Sequence, residues 1–351
     1  MPAEKNTLEN LLKIAVEKKA SDMHLVVGKP PIFRIDGELT EMEKASPLTP
    51  ERVKELSHSV LSPQLKEELI REKGVDISYG LEKKARFRLN ISYEKENMVL
   101  AARVIPLEIP TMESIRMPES VYHFLNLKQG LILITGPSGC GKSTTLAAMI
   151  NFINQEMNRR IITLEDPIEF VFSSQKSIIT QRELGRDMLS FAEALRHALR
   201  QDPNIVMVGE MRDPETIATT MTLAETGHLI FATLHTPNSS LTIDRIIDTF
   251  PPHQQAQIRS QLSMVLKCVI SQQLLPAKAG GRLAAREILV NIPAIANLIR
   301  DNKINQIRNT LHTNSGEGMF TLDQDLIRLY KGGFVDREAA EFYMENSKSL
   351  G

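Results

Sequence analysis

The stretch "GPSGCGKSTT", Gly136 to Thr145, fits the pattern G-x-x-x-x-G-K-[ST], with Gly136, Gly141, Lys142 and Ser143 in the required places. Glycines let backbone amides close around phosphate oxygens, a lysine reaches the β and γ oxygens, and a hydroxyl ligates Mg²⁺. Gly136, Pro137, Ser138, Gly139, Cys140, Gly141, Lys142, Ser143 and Thr144 are therefore the candidate phosphate cradle, with Ser143 as a metal ligand. The apolar run "GLILITG" before it reads as a strand, and "STTLAAMINFINQ" after it as a helix. Cys140 occupies a position that the pattern leaves free and reads as a small filler, not a nucleophile.

Outward from the loop the alternation of strand and helix continues. "RIITLED", "NIVMVGE" and "HLIFATLH" are short apolar runs near longer helical stretches, which predicts a parallel sheet covered by helices. Two of these runs end in acids. "NIVMVGE" delivers Glu210, the better candidate for the Mg²⁺ side, acting through water, with Gly209 leaving room for close approach. "RIITLED" delivers Glu165 and Asp166 before Pro167 stops the strand, at the carboxyl end where open α/β sheets bind ligands. Glu165 is the candidate for activating water. A helix-capping or surface carboxylate is the competing reading for all three, and it weighs most for Asp166.

His228 and His235 bracket "LIFATL". In one continuous strand, seven steps of about 3.3 Å separate them by roughly 23 Å on opposite faces, too far to share a metal. His235 falls at the carboxyl end beside the acids and is a candidate γ-phosphate sensor. His228, at the other end, is expected to serve packing, a subunit contact or a longer-range link.

Ahead of this core, "TLENLLKIAVEKKASDMHL" puts Leu8, Leu11, Leu12, Ala15 and Val16 on one helical face. "PPIFRIDGEL" runs into Asp36-Gly37, a dipeptide favoured in two-residue hairpins. Strands are also expected in "ARFRLNISYE" and "NMVLAARVI", with helical pattern in "PERVKELSHSVLSPQLKEELIREKG". Residues 1–105 thus read as a small α+β domain and 106–119, with Pro106, Pro110 and Pro118, as a linker. The α/β core follows over 120–290 and a helical region over 291–351, where Ile295, Leu298 and Ile299 share a face.

Composition narrows the partners. Lys and Arg total 42 against 43 for Asp and Glu, so no bulk charge draws the chain to nucleic acid or an anionic membrane. Two cysteines exclude a disulfide framework and a four-cysteine zinc ribbon, and suit a reducing compartment. The N-terminus lacks a signal-peptide core, and no apolar run approaches the roughly 20 residues of a membrane span. A cytoplasmic protein is expected, with any membrane contact made through partners.

With these residues assembled, the sequence resembles the PilT family, the retraction ATPases of type IV pili within the secretion-ATPase superfamily. The resemblance runs in order through "ASDMHL", "PPIFRIDGEL", "GPSGCGKSTT", "ITLEDPIEF", "RQDPNIVMVGEMRDPET", "AETGHLIFATLHT", "FPPHQQAQIRSQLS" and "AIANLIRD". It implies an N-terminal PAS-like domain and a C-terminal RecA-like P-loop ATPase domain. It also implies a homohexameric ring that binds ATP and Mg²⁺ between the domains. An inner-membrane platform protein of the pilus machine is the implied partner, at the cytoplasmic face of the membrane. Arginines on N-terminal strands approach the γ-phosphate in this family; here the candidates are Arg88 and Arg103, with Arg86 possible, and strand alternation puts Arg86 and Arg88 on one face.

Pilus-extension and type II secretion relatives typically carry an additional N-terminal domain and often a four-cysteine insert, so retraction is favoured. The family's "AIRNLIRE" motif stands here as "AIANLIRD", with Ala296 for the arginine and Asp301 for the glutamate. That leaves the helical pattern intact but removes any interaction the arginine would make. The ATPase of a related secretion or extension machine is the nearest alternative. A RecA-like nucleic-acid motor would need a basic groove with stacking aromatics, yet there is no Trp, aromatics are 5%, and no Lys/Arg run dominates.

Overall fold

The computed structural model describes residues 7–35, 37–81, 85–105 and 108–345, which fall into two compact units. The first comprises residues 1–108 together with 167–171, and the second comprises 109–166 and 172–351. The first unit is therefore discontinuous in sequence.

In the first unit the order is α1 (Leu8–Glu17), β1 (Asp22–Leu25), β2 (Ile32–Ile35), β3 (Glu38–Glu41), α2 (Pro50–His58), α3 (Pro63–Glu72), β4 (Gly74–Leu81), β5 (Ala85–Glu94) and β6 (Asn97–Ile105). Helix α1 starts where the Thr7 hydroxyl accepts from the Asn10 amide, 3.3 Å away. Its predicted face, Leu8, Leu11, Leu12 and Ala15, is buried, and Val16 packs beside it. Full burial of each leucine contributes about 1.5–3 kcal/mol against exposure. The sheet is antiparallel throughout, in the order β3-β2-β1-β6-β5-β4. Asp36 of the expected hairpin lies outside the described residues, but Ile35 pairs with Glu38 and Gly37 has φ +91°, as a two-residue turn requires.

One face of this sheet packs on the helices through Met23, Phe33, Phe87, Leu89 and Leu100. The other carries a cross-strand row in which Arg34 faces Asp22, Asp22 faces Arg103, and Arg103 faces Arg88. Along β5 the buried Phe87 separates half-buried Arg86 from exposed Arg88, the alternation the sequence predicts.

Pro106 lies outside the described residues. From residue 108 to Pro118 the expected linker has neither helix nor strand, because its prolines remove donors. Met112 and Met117 are nevertheless buried in the second unit's core. The buried Arg286 guanidinium donates to the carbonyls of Ile115, at 3.0 Å, and Arg116, at 3.3 Å. Burial pushes Arg286 down to about 10 against the attraction of Asp325.

The second unit runs α4 (Glu119–Leu125), β7 (Gly130–Thr135), α5 (Lys142–Glu156), β8 (Arg160–Glu165), β9 (Ile178–Glu183), α6 (Phe191–Ala198), β10 (Ile205–Val208), α7 (Pro214–Glu225), β11 (Leu229–Leu234), α8 (Ser239–Asp248), α9 (Pro252–Val265), β12 (Leu266–Pro276), β13 (Arg282–Val290), α10 (Pro293–Arg300), α11 (Ile307–Thr313), α12 (Leu322–Lys331) and α13 (Arg337–Tyr343). The sheet order is β13-β12-β7-β11-β10-β8-β9. Every neighbouring pair is parallel except β12 and β13. Apolar cores lie on both faces, one under α6 to α11 and the other under α4 and α5. Strands β7 and β11 are buried at every residue, which is why they read as unbroken apolar runs. Consequently their carboxyl ends, and those of β8 and β10, open at one edge of the sheet.

Candidate functional site

At that edge the chain leaves β7 into Gly136–Gly141 and enters α5 at Lys142. Gly136, Gly139 and Gly141 have φ of +142°, +77° and +87°, values that L side chains rarely adopt. A Cβ on Gly136 would stand 2.3 Å from the Gln272 carbonyl oxygen, so only glycine fits there. The loop thus turns back over the N-terminus of α5, whose first amides have no partner within the helix and suit an anion. Ser143 and Thr144 lie half-buried in the first turn of α5.

Lys142 is buried, and its ammonium donates to the carbonyls of Gly136 at 2.8 Å and Pro137 at 2.9 Å. It also stands 3.4 Å from Nδ1 of His235. An ammonium only donates, so Nδ1 is the acceptor and the neutral ring carries its proton on Nε2. That nitrogen faces Oε2 of Glu210 at 3.4 Å. Ser138 Oγ approaches Nδ1 at 3.5 Å. His235 thus lies between Lys142, which it meets at hydrogen-bond distance, and the Glu210 carboxylate beside the loop.

Glu210 follows β10 and is buried. Gly209 makes this possible: its amide donates to the Leu164 carbonyl at 2.7 Å, and a Cβ there would meet that oxygen at 3.1 Å and Glu165 Cα at 3.3 Å. Its second oxygen, Oε1, accepts from Arg212, whose other terminal nitrogen lies 3.9 Å from Asp166. Glu165 is also buried but is held by neutral donors, with Oε1 accepting from Thr163 Oγ1 at 2.6 Å and Gln181 Nε2 at 3.0 Å. The Gln181 amide is oriented in turn by the Phe172 N–H, 2.8 Å from its oxygen.

The two histidines flank β11 at opposite ends. His228 lies at the amino end, where Nδ1 approaches the Leu223 carbonyl at 3.0 Å and its N–H donates to the same oxygen at 3.2 Å, closing the end of α7. Cys140 is buried and burial pushes its thiol up, so it is no ready nucleophile. Its carbonyl accepts from Gln272 Nε2 at 2.7 Å, while Gln272 Oε1 accepts from Thr145 Oγ1 at 3.0 Å. Gln272, on β12, therefore ties the loop to the first turns of α5.

The candidate arginines lie in the first unit. Arg103 Nε donates to Asp22 at 2.9 Å, Arg88 stands 3.5 Å from Asp76, and Arg86 donates to Ser78 Oγ at 2.9 Å. Sequence reasoning passed over Arg212, Gln181, Thr163 and Gln272. A polar pair in the apolar run of β12 was a signal for Gln272, and a cation two residues past Glu210 was one for Arg212. Gln181 and Thr163 left no signal, because their partners come from register.

A glycine cradle of this shape at the carboxyl edge of a parallel sheet is the phosphate site of P-loop nucleotide-binding proteins. The model of the Type II/IV secretion system protein family matches residues 2–309, and the chain belongs to that family. It is 43% identical over 333 residues to the "Type IV pilus retractation ATPase PilT" of Pseudomonas aeruginosa, covering 95% of this chain and 96% of that one. To the "Twitching motility protein" of Neisseria gonorrhoeae it is 44% identical, over 91% of this chain and 86% of that one. A crystal structure of the pilus retraction motor PilT with bound ADP superposes with a TM-score of 0.91 at 45% identity, covering 98% and 99% of the two chains.

Proposed function

We propose that this chain is a motor that hydrolyses ATP to ADP and phosphate and uses that energy to disassemble type IV pili, supporting twitching motility. The observation that carries the reading is the linked set Lys142, His235 and Glu210 beside the glycine cradle, with Glu165 buried at the adjacent strand end. The likeness to retraction ATPases over nearly the whole chain supports the choice of machine.

In this reading the loop amides bind the phosphates, and Lys142 exchanges the Gly136 and Pro137 carbonyls for β and γ oxygens. A hydroxyl and a carboxylate are hard oxygen donors that suit Mg²⁺, so Ser143 would ligate it and Glu210 would hold its water shell. The ion would neutralise charge on the phosphates. Glu165 accepts the proton of the attacking water as the bond to the γ-phosphorus breaks and ADP leaves. His235 exchanges its contact with Lys142 for one to the γ-phosphate. Arg88 and Arg103, from the first unit, would meet the developing charge once they leave Asp76 and Asp22.

The proposed working form is a homohexamer acting on an inner-membrane platform protein at the cytoplasmic face. Among the described residues no helix is long and apolar enough to cross a membrane, so the contact would run through that partner. Deleting the gene tests the machine. Loss of twitching with surplus pili is expected; a strain without pili would mean extension. Turnover by the purified protein that depends strictly on single-stranded DNA would overturn the reading in favour of a nucleic-acid motor.

A further inference from the structure

The Glu210 carboxylate is held on both oxygens, but its two partners differ in kind. His235 offers a neutral N–H, whereas Arg212 brings a full positive charge to Oε1. Arg212 is 69% exposed at its side chain while that of Glu210 is 10% exposed, so the cation reaches in from solvent to a carboxylate that is nearly buried. Burying a lone carboxylate is unfavourable, which explains why a cation covers it.

A hydrated metal drawn to this carboxylate would compete with that cation. Two positive charges on one carboxylate repel, so arrival of Mg²⁺ favours departure of the guanidinium. Arg212 has somewhere to go. Its other terminal nitrogen is 3.9 Å from Asp166, at the end of β8. Asp166 is one-third exposed at its side chain. A small rotation of the guanidinium therefore exchanges one carboxylate for another and leaves no charge unpaired. At the neighbouring strand end, Glu165 Oε1 accepts instead from the Thr163 hydroxyl and the Gln181 amide.

We infer that Arg212 is a positioning residue that competes with Mg²⁺ for Glu210 and transfers to Asp166 when the metal arrives. The inference rests on the nucleotide reading above and adds to it the residue that sets the metal requirement. By holding the Glu210 carboxylate in place, Arg212 prepares the metal site; by competing for it, Arg212 raises the Mg²⁺ concentration needed to fill it.

The test is the Mg²⁺ dependence of binding of a fluorescent ADP analogue to the full-length protein, which reads the metal without turnover. Arg212→Met should lower the half-saturating Mg²⁺ by roughly fivefold, the scale of a partly exposed ion pair. Arg212→Lys, which keeps the charge but not the fork, should fall between it and the wild type. Asp166→Asn should raise the requirement in the wild-type background, because the cation loses its second partner, and should add nothing in the Arg212→Met background. An unchanged or higher Mg²⁺ requirement in Arg212→Met would overturn the inference. So would an equal shift by Asp166→Asn in both backgrounds, which would mean that its charge acts directly on the metal. If Arg212→Met does not fold, Arg212→Lys and Asp166→Asn carry the test, and absence of any opposed shift between them overturns it. Failure of the wild type to bind the analogue at all would instead refute the nucleotide reading.

Discussion

Strands β8 and β10 are parallel neighbours, and both deliver a buried glutamate to the same edge of the sheet, yet the surroundings of the two carboxylates are opposite in character. Glu165 ends its strand with Oε1 accepting from two neutral donors, Thr163 and Gln181, and Gln181 cannot turn without also losing the Phe172 amide. Glu210 sits one residue beyond Gly209 among a guanidinium and an imidazole that have other places to go. A carboxylate held by rigid neutral donors keeps its orientation and accepts a proton without moving a charge, which suits a base. One paired with an exchangeable cation suits a metal-facing role, because a metal can take the cation's place. Composition makes two glutamates equivalent; their neighbours make them different.

The phosphate cradle is common to both strand ends, so removing its cation should erase the contrast altogether. Lys142→Ala is expected to lower ATP turnover by roughly a thousandfold, as loss of a preorganised charge at the reacting phosphate does, measured as phosphate release; normal turnover would refute the loop assignment. Glu165→Gln removes the proposed base and keeps the shape. It should slow single-turnover hydrolysis about a hundredfold while leaving nucleotide affinity and Mg²⁺ dependence where they were. A change in Mg²⁺ dependence instead would exchange the roles of the two acids. Glu210→Gln should retain nucleotide, slow turnover, and raise the Mg²⁺ requirement about tenfold, the scale of a lost outer-sphere partner; titration of turnover against Mg²⁺ separates this from the Glu165 result. Gln181→Leu takes one donor from Glu165, and about a fivefold fall in turnover is expected from a single lost hydrogen bond, with Mg²⁺ dependence unmoved.

The smallest effect lies on the exposed face of the other sheet, where a charge pair should matter least. Burial pushes the Asp22 carboxyl up, but donation from Arg103 and Ser21 outweighs it and holds the group below its usual range. A depressed carboxyl stabilises the fold above its ordinary value near 3.9, and that contribution disappears as pH falls through the folded value. Because Arg103 is 71% exposed, Arg103→Ala should cost less than about 1 kcal/mol near neutral pH. Denaturant titrations of the two proteins should converge on acidification; a gap that widens in acid would contradict the pairing.

Much of the architecture was legible because burial leaves a simple record. The wholly buried β7 and β11 appear as apolar runs, and the glycine pattern marks the turn between β7 and α5. Strand β12 escaped notice because Ser271 and Gln272 interrupt its apolar run, and they do so because both bond toward the P-loop region, to Thr135 and to Cys140 and Thr145. Strand β9 lies at the sheet's edge with Ile178 exposed and Gln181 and Arg182 half-buried, so it has neither a continuous nor an alternating pattern. The ends of the strands could be read as acids; their partners could not, since Gln181 meets Glu165 only through pairing of β8 with β9. His228 is explained only once α7 is seen to end on its ring.

The discontinuity of the first unit has a bearing on how the protein can be cut and recombined. Since residues 167–171 belong to it, the polypeptide passes from one unit to the other three times, and no single splice separates them. A fragment ending at residue 108 would lack Ile168 and Phe170, both only 8% exposed in the intact chain, and would be less soluble than its surface charge suggests. A chimera that exchanges its N-terminal half with a relative's must therefore carry those five residues along.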